Sequence, residues 1–101
     1  MTRPDEYRMQ AKVWRYAGKA TWYFATLPKR QSMAIRTLFG GLARGWGSLP
    51  VIATISKTTW KSSIFLDRKA GTYLLPLKAE IREREKIRAG ASLRLRIEIR
   101  L

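Results

Sequence analysis

Phe39-Gly40-Gly41-Leu42-Ala43-Arg44-Gly45-Trp46-Gly47-Ser48-Leu49-Pro50 lies near the middle of the chain and divides a helical pattern from a strand pattern. It holds four of the seven glycines. Such density asks for positive φ or close backbone approach, here around one cation, Arg44, and one indole, Trp46. On its N-terminal side Met33, Ile35, Leu38 and Phe39 recur at helical spacing. A short helix is therefore expected from Lys29 to Phe39, with Ser32 as N-cap. On its C-terminal side Val51-Ile52-Ala53-Thr54-Ile55-Ser56 reads as a strand, β-branched on both faces.

Further out, Tyr7 to Val13 alternates apolar and polar, as a half-buried strand does. The alternation slips at Trp14-Arg15-Tyr16, which predicts a bulge or an exit from the sheet. Trp22 to Leu27 is a second, aromatic-rich strand closed by Pro28. Beyond Ser56, Lys57-Thr58 is expected to turn the chain, followed by a strand over Thr59–Leu66, a loop over Asp67–Gly71 and a strand over Thr72–Leu75. Ala79 to Arg88 is rich in helix formers, with Glu80 and Glu85 spaced to pair with Arg82, Arg84 and Arg88, and Gly90 is expected to stop it. Last, Leu93, Leu95, Ile97, Ile99 and Leu101 alternate with Arg94, Arg96, Glu98 and Arg100. Leu93, Leu95, Ile97 and Ile99 should face the core and Arg94, Arg96 and Arg100 solvent.

The order is thus strand-strand-helix-strand, twice, with Leu27-Pro28 before the first helix and Gly40 after it matched by Leu75-Pro76 and Gly90. Six strands with few protected edges are best closed on themselves. The expected fold is mainly β: a six-stranded closed or split β-barrel with two short helices, of the double-psi and related cradle-loop kind. The alternative is an open sandwich with both helices on one face. The 101 residues make one domain, 1–101, with 1–6 disordered or loosely attached.

A formal net charge of +14 is the largest departure from ordinary composition. From Arg8 to Leu66 there is no acidic residue, against ten Lys or Arg. Such a field favours polyanions such as nucleic acid or anionic lipid headgroups. No apolar run approaches the ~20 residues of a membrane span, and Met1 to Glu6 is no signal peptide, so cytoplasm is the expected location. With no cysteine and no histidine, thiol nucleophiles, thiolate metal sites and imidazole acid–base chemistry are absent. A Ser–Lys pair from Ser62 or Ser63 with Lys57 or Lys61 has poor geometry, because neighbours on a strand point to opposite faces. No enzyme activity, metal or cofactor is therefore expected. Nor do the glycines make a phosphate loop, which follows a strand and opens a helix; here they follow a helix and precede a strand.

Cations interleaved with aromatics are the main functional signal. They occur at Lys12, Trp14, Arg15, Tyr16 and Lys19, at Arg44 and Trp46, and at Trp60 and Lys61. Single-stranded nucleic acids are held by this combination of phosphate-binding cations and stacking rings. The competing reading is that at least two of the four tryptophans fill the core. For Trp46 the choice is between a core plug and a ring presented to a partner, and the plug is the expected outcome.

Read as strings, Val13-Trp14-Arg15-Tyr16, Gly18-Lys19-Ala20, Trp22-Tyr23-Phe24, Leu27-Pro28, Arg44-Gly45-Trp46-Gly47-Ser48, Pro50-Val51 and Thr59 to Phe65 resemble a bacterial family of domains of unknown function. Its members sometimes precede an OmpD-associated, bacteriocin-protection-type segment. The resemblance spans about Tyr7 to Ile99 and implies a small cradle-loop barrel without implying an activity. Ile87-Arg88-Ala89-Gly90-Ala91-Ser92-Leu93 also resembles the helix-to-strand turn of swapped-hairpin transcription factors. Ala91 stands where that turn usually has Asp, which weakens the transfer of a DNA-binding role.

Together these features describe a non-enzymatic binding module for nucleic acid or another polyanion, with Arg15, Lys19, Arg44, Trp46, Trp60 and Lys61 as the candidate contacts. The alternative is a module for a small ligand or a protein partner at the barrel mouth formed by the glycine-rich loop.

Overall fold

The alternation at the C-terminal end sets the register of the sheet. In the computed structural model, which describes residues 5–18 and 21–101, the last strand runs Ser92–Ile99. Leu95, Ile97 and Ile99 are buried and Leu93 half-buried, while Arg94, Arg96 and Arg100 are exposed. Leu101 lies beyond the strand and is exposed.

Chain order is β1 (Glu6–Arg15), β2 (Tyr23–Thr26), α1 (Lys29–Phe39), β3 (Ser48–Ile55), β4 (Thr58–Asp67), β5 (Thr72–Pro76), α2 (Ala79–Glu85) and β6, with 3₁₀ turns at Gly40–Leu42 and Gly45–Gly47. The strands form a closed barrel in the order β1-β2-β5-β4-β3-β6, and every neighbouring pair is antiparallel. Because β6 pairs with both β1 and β3, the open sandwich is ruled out. Closure leaves no sheet edge to protect. The interior is aliphatic: Met9, Ala11 and Val13 from β1 face Leu49, Val51, Ala53 and Ile55 from β3, together with Ile64, Leu75 and the β6 residues. Each large side chain buried here is worth about 1.5–3 kcal/mol.

The strand directions put α1 and the glycine stretch at one end, with the β4–β5 turn, and α2 at the other, with the β3–β4 hairpin. Ile35 of α1 is fully buried, and at the opposite end Leu77, Ile81 and Ile87 are buried.

The two halves repeat at a spacing of fifty residues. Leu27 N–H donates to Tyr73 O at 2.9 Å, and Leu77 N–H donates to Tyr23 O at 2.9 Å. Ser32 Oγ donates to Leu27 O at 3.3 Å, and Arg82 Nε donates to Leu77 O at 3.2 Å. Leu27 therefore corresponds to Leu77 rather than to Leu75, two residues from the match suggested by the Leu-Pro pairs.

Several boundaries differ from expectation. Ser32 is no cap: Pro28 precedes the helix, and buried Ser32 accepts from Tyr73 N–H at 3.0 Å. The exit falls inside the expected stretch, since β1 ends at Arg15, but Trp14 itself is still in the strand. It stands on the outer face of β1, where Nε1 donates to Thr26 Oγ1 at 2.8 Å. The β3–β4 turn is Ser56-Lys57, one residue early, with Ser56 at φ 56°. The second helix stops at Glu85 because Lys86 turns left-handed (φ 54°) and Ile87, its N–H bonded to Arg82 O, buries its side chain in the core. Burial outweighs the helix propensity of the residues that follow. Gly90 (φ 89°) turns the chain into β6, and its N–H donates to Val13 O at 2.8 Å. Of the segment 1–6, residues 1–4 lie outside the described residues, Asp5 O accepts from Ile99 N–H, and Glu6 opens β1.

Candidate functional site

The path from α1 to β3 is built around its glycines. Gly40–Leu42 makes one 3₁₀ turn, Ala43 is extended, and Arg44 and Ser48 then close a small loop. Arg44 N–H donates to Ser48 O at 2.9 Å and Ser48 N–H to Arg44 O at 3.3 Å. Within that loop Trp46 (φ 65°, ψ 20°) and Gly47 (φ 64°) are both left-handed. Glycine adopts this at no steric cost, whereas an L-side chain pays about 1–2 kcal/mol. Trp46 pays it and remains 91% exposed. The expected plug is overturned: the loop turns the indole outward, and the barrel end is filled by Leu27, Ile35 and Tyr73 instead.

Behind the loop is a cavity of about 280 Å³, walled by Gly40, Gly41 and Gly47 and floored by Tyr73. Arg36 enters it from α1 and Arg68 from the β4–β5 turn. A Cβ on Gly47 would sit 3.2 Å from Leu66 Cβ and 3.9 Å from Arg68 Nη2; one on Gly40 would sit 3.2 Å from Arg36 Cγ. The missing side chains at Gly40 and Gly47 are what let Arg36 and Arg68 lie against the loop. Burial raises the Tyr73 phenol above its ordinary value of 10.0, with Arg36 and Arg68 pulling it back, so at neutral pH the hydroxyl keeps its proton and can donate. The ion pairs formed among the described residues are Glu6–Arg8 and Glu98–Arg100, and neither touches this cavity. Two cations, a phenol and open backbone make an arrangement suited to anions.

Of the sequence-derived candidates, Arg44 and Trp46 share the glycine loop, and the others are elsewhere. Arg15 is exposed at the opposite end of the barrel, paired with Tyr23. Lys19 lies outside the described residues. Trp60 and Lys61 are separated by the sheet. Lys61 is exposed on the outer face, and Trp60 faces inward opposite Ala53, with Nε1 buried and unpartnered among the described residues. Trp60 is the one tryptophan packed against the core, so the expectation of two or more core tryptophans is corrected. Trp22 (55% exposed) and Trp14 flank Phe24 on the outside, with ring centroids 5.9 and 5.1 Å away.

Sequence reasoning missed Arg36, Arg68 and Tyr73, which come from three separate elements. It also missed a basic face across β1 and β6. Arg8 stands directly opposite Arg96 with Arg94 two pairs along, opposite Gln10, and Arg96 Nη2 reaches Thr54 Oγ1 at 3.5 Å. Like charges placed opposite each other disfavour the sheet, and the alternation of β6 was the signal that put both arginines on this face. Among the described residues no group of three His, Cys, Asp or Glu could hold a metal ion, and no helix is long and apolar enough to cross a membrane.

The model of a family described as a domain of unknown function, DUF1905, matches residues 10–97, nearly the whole barrel. No curated protein matches the chain.

Proposed function

We propose that this chain, which belongs to the DUF1905 family of domains of unknown function, is a non-enzymatic binding module for single-stranded nucleic acid, working in the cytoplasm of a bacterial cell. The observation that carries this reading is Trp46, 91% exposed on a left-handed backbone beside Arg44. A ring presented at the cost of backbone strain is more consistent with partner contact than with folding. Bases stack on the indole, and Arg44 and the nearby cations take the phosphates. Stacking of this kind is worth about 1–3 kcal/mol per base and tolerates any sequence. The +14 charge supplies the salt-dependent, non-specific part of the affinity. Without histidine or cysteine, the chain has neither an imidazole base nor a thiol nucleophile.

Fluorescence anisotropy with labelled single-stranded DNA and RNA across a salt series tests this. Log affinity is expected to fall linearly with log salt, and Trp46→Ala to weaken binding about 5- to 150-fold, the equivalent of one stacked base. Absence of strand binding at low salt, or a Trp46→Ala variant that binds like wild type, overturns the proposal.

A further inference from the structure

We infer that the cavity behind the glycine loop binds a phosphate monoester group, clamped between the guanidiniums of Arg36 and Arg68, with the Tyr73 hydroxyl donating from the floor. This goes beyond the strand-binding reading and does not depend on it, because Trp46 projects away from the fold and is not among the residues lining the cavity.

Three features point to this ligand. The two arginines come from different elements, α1 and the turn after β4, and converge on one space without an acidic residue in its lining. Each guanidinium presents a planar fork that matches phosphate oxygens two at a time. Two forks suit a group carrying close to two negative charges better than a single carboxylate. Tyr73 is 1% exposed and its phenol is raised by burial, so it offers a proton rather than a competing negative charge. Gly40, Gly41 and Gly47 leave part of the remaining wall without side chains, beside Ala43 and Leu66, allowing oxygen atoms close to the backbone there.

At about 280 Å³ the cavity lies near the lower end of the size range for small-molecule sites. It admits a phosphate with a small organic remainder and excludes a base-paired or stacked strand. The same chemistry has two sources, a free phosphorylated small molecule or the 5′-terminal phosphate of a strand.

The test follows the arginine Nε–H signals by NMR during titration with inorganic phosphate and with glycerol 3-phosphate, using chloride as control at constant ionic strength. Arg36 and Arg68 are expected to shift together and to saturate, with phosphate at least tenfold tighter than chloride. Both arginines are exposed, so Arg36→Ala and Arg68→Ala should fold normally and raise Kd at least tenfold. Arg36→Lys and Arg68→Lys, which keep charge but lose the fork, should recover only part of that loss. Tyr73→Phe should weaken binding several-fold, and Trp46→Ala should leave it unchanged even if strand binding is lost. Tighter binding of a 5′-phosphorylated over a 5′-hydroxyl oligonucleotide, lost in Arg68→Ala, assigns the group to a strand end. Saturation by glycerol 3-phosphate without that preference assigns it to a free small molecule. Shifts that never saturate, or that are equal at Arg8, Arg94 and Arg96, overturn the inference, as do alanine variants that bind like wild type.

Discussion

Replacing Trp46 by alanine and by glycine separates what the ring contributes to the fold from what its backbone costs. Trp46 is 91% exposed, so it buries about a tenth of a side chain that can bury up to ~250 Å². That is roughly 25 Å², or about 0.6 kcal/mol at ~25 cal/mol per Å². Trp46→Ala forfeits this and keeps the left-handed penalty, because alanine also carries a Cβ at φ 65°. Trp46→Gly forfeits the same contact, removes about 1–2 kcal/mol of backbone strain, and returns about 0.4–1 kcal/mol through the freer unfolded chain. The glycine variant is therefore expected to be more stable than the alanine variant by about 0.5–1 kcal/mol, the reverse of the usual order. For a domain of this size that is a difference of about 2–8 °C in Tm, within reach of calorimetry. Both variants should bind single strands equally poorly. A loss of about 3 kcal/mol or more in Trp46→Ala would mark a packed aromatic and refute the presentation reading. An alanine variant more stable than the glycine variant would refute the strain assignment.

Ile97→Ala, at a fully buried position of β6, is expected to cost about 2–5 kcal/mol in denaturant unfolding, whereas Arg94→Ala on the same strand should stay within about 0.5 kcal/mol. Ser32→Ala leaves the buried Tyr73 N–H without its acceptor and should cost about 1–3 kcal/mol in the same assay. Tyr7 and Tyr73 have phenols raised by burial, reinforced by Asp5 for Tyr7 and opposed by Arg36 and Arg68 for Tyr73. An acid whose pKa is raised in the fold stabilises it below the unfolded-state value and loses that contribution as pH climbs through the folded value. Unfolding free energy should therefore decline from about pH 10 upward, as measured by denaturant titrations at stepped pH.

The barrel was legible because its evidence is local. Period-two alternation in Leu93–Ile99 puts one residue set inside whatever the partner strands are, and α1 was bounded correctly at Lys29 and Phe39 by Pro28 and the glycines. The ends of elements were less so. Whether Ala79–Arg88 continues as helix depends on Ile87 reaching a core formed by residues far away in sequence. The candidate site was legible only in part. Trp60-Lys61 reads as an aromatic–cation pair, yet adjacent strand residues point to opposite faces, so one went inward and the other to solvent. Arg36, Arg68 and Tyr73 carry no shared spacing. They meet because β5 lies beside β4 and α1 packs across that end of the barrel, which only the closed topology determines.

The two halves of the repeat differ most in the connection that leads from helix to strand. In the second half Gly90 leads into β6 at Ser92, two residues later; in the first half its counterpart Gly40 leads into β3 at Ser48, eight residues later. The shorter connection is enough to carry the chain from helix to strand in the second half. The six additional residues include Arg44, Trp46 and Gly47, and they bring a strained, exposed indole and one wall of the cavity. The equivalent tyrosines diverge in the same sense. Tyr23 is covered by the chain's own Arg82, with the guanidinium carbon 4.0 Å from the ring centroid. At the other end the residue corresponding to Arg82 is Ser32, drawn inside to bond Tyr73 N–H and Leu27 O, and Tyr73 is left facing the cavity with Arg36 and Arg68. On the reading proposed above, an extension that adds backbone strain and exposed aromatic surface has its explanation in what binds there.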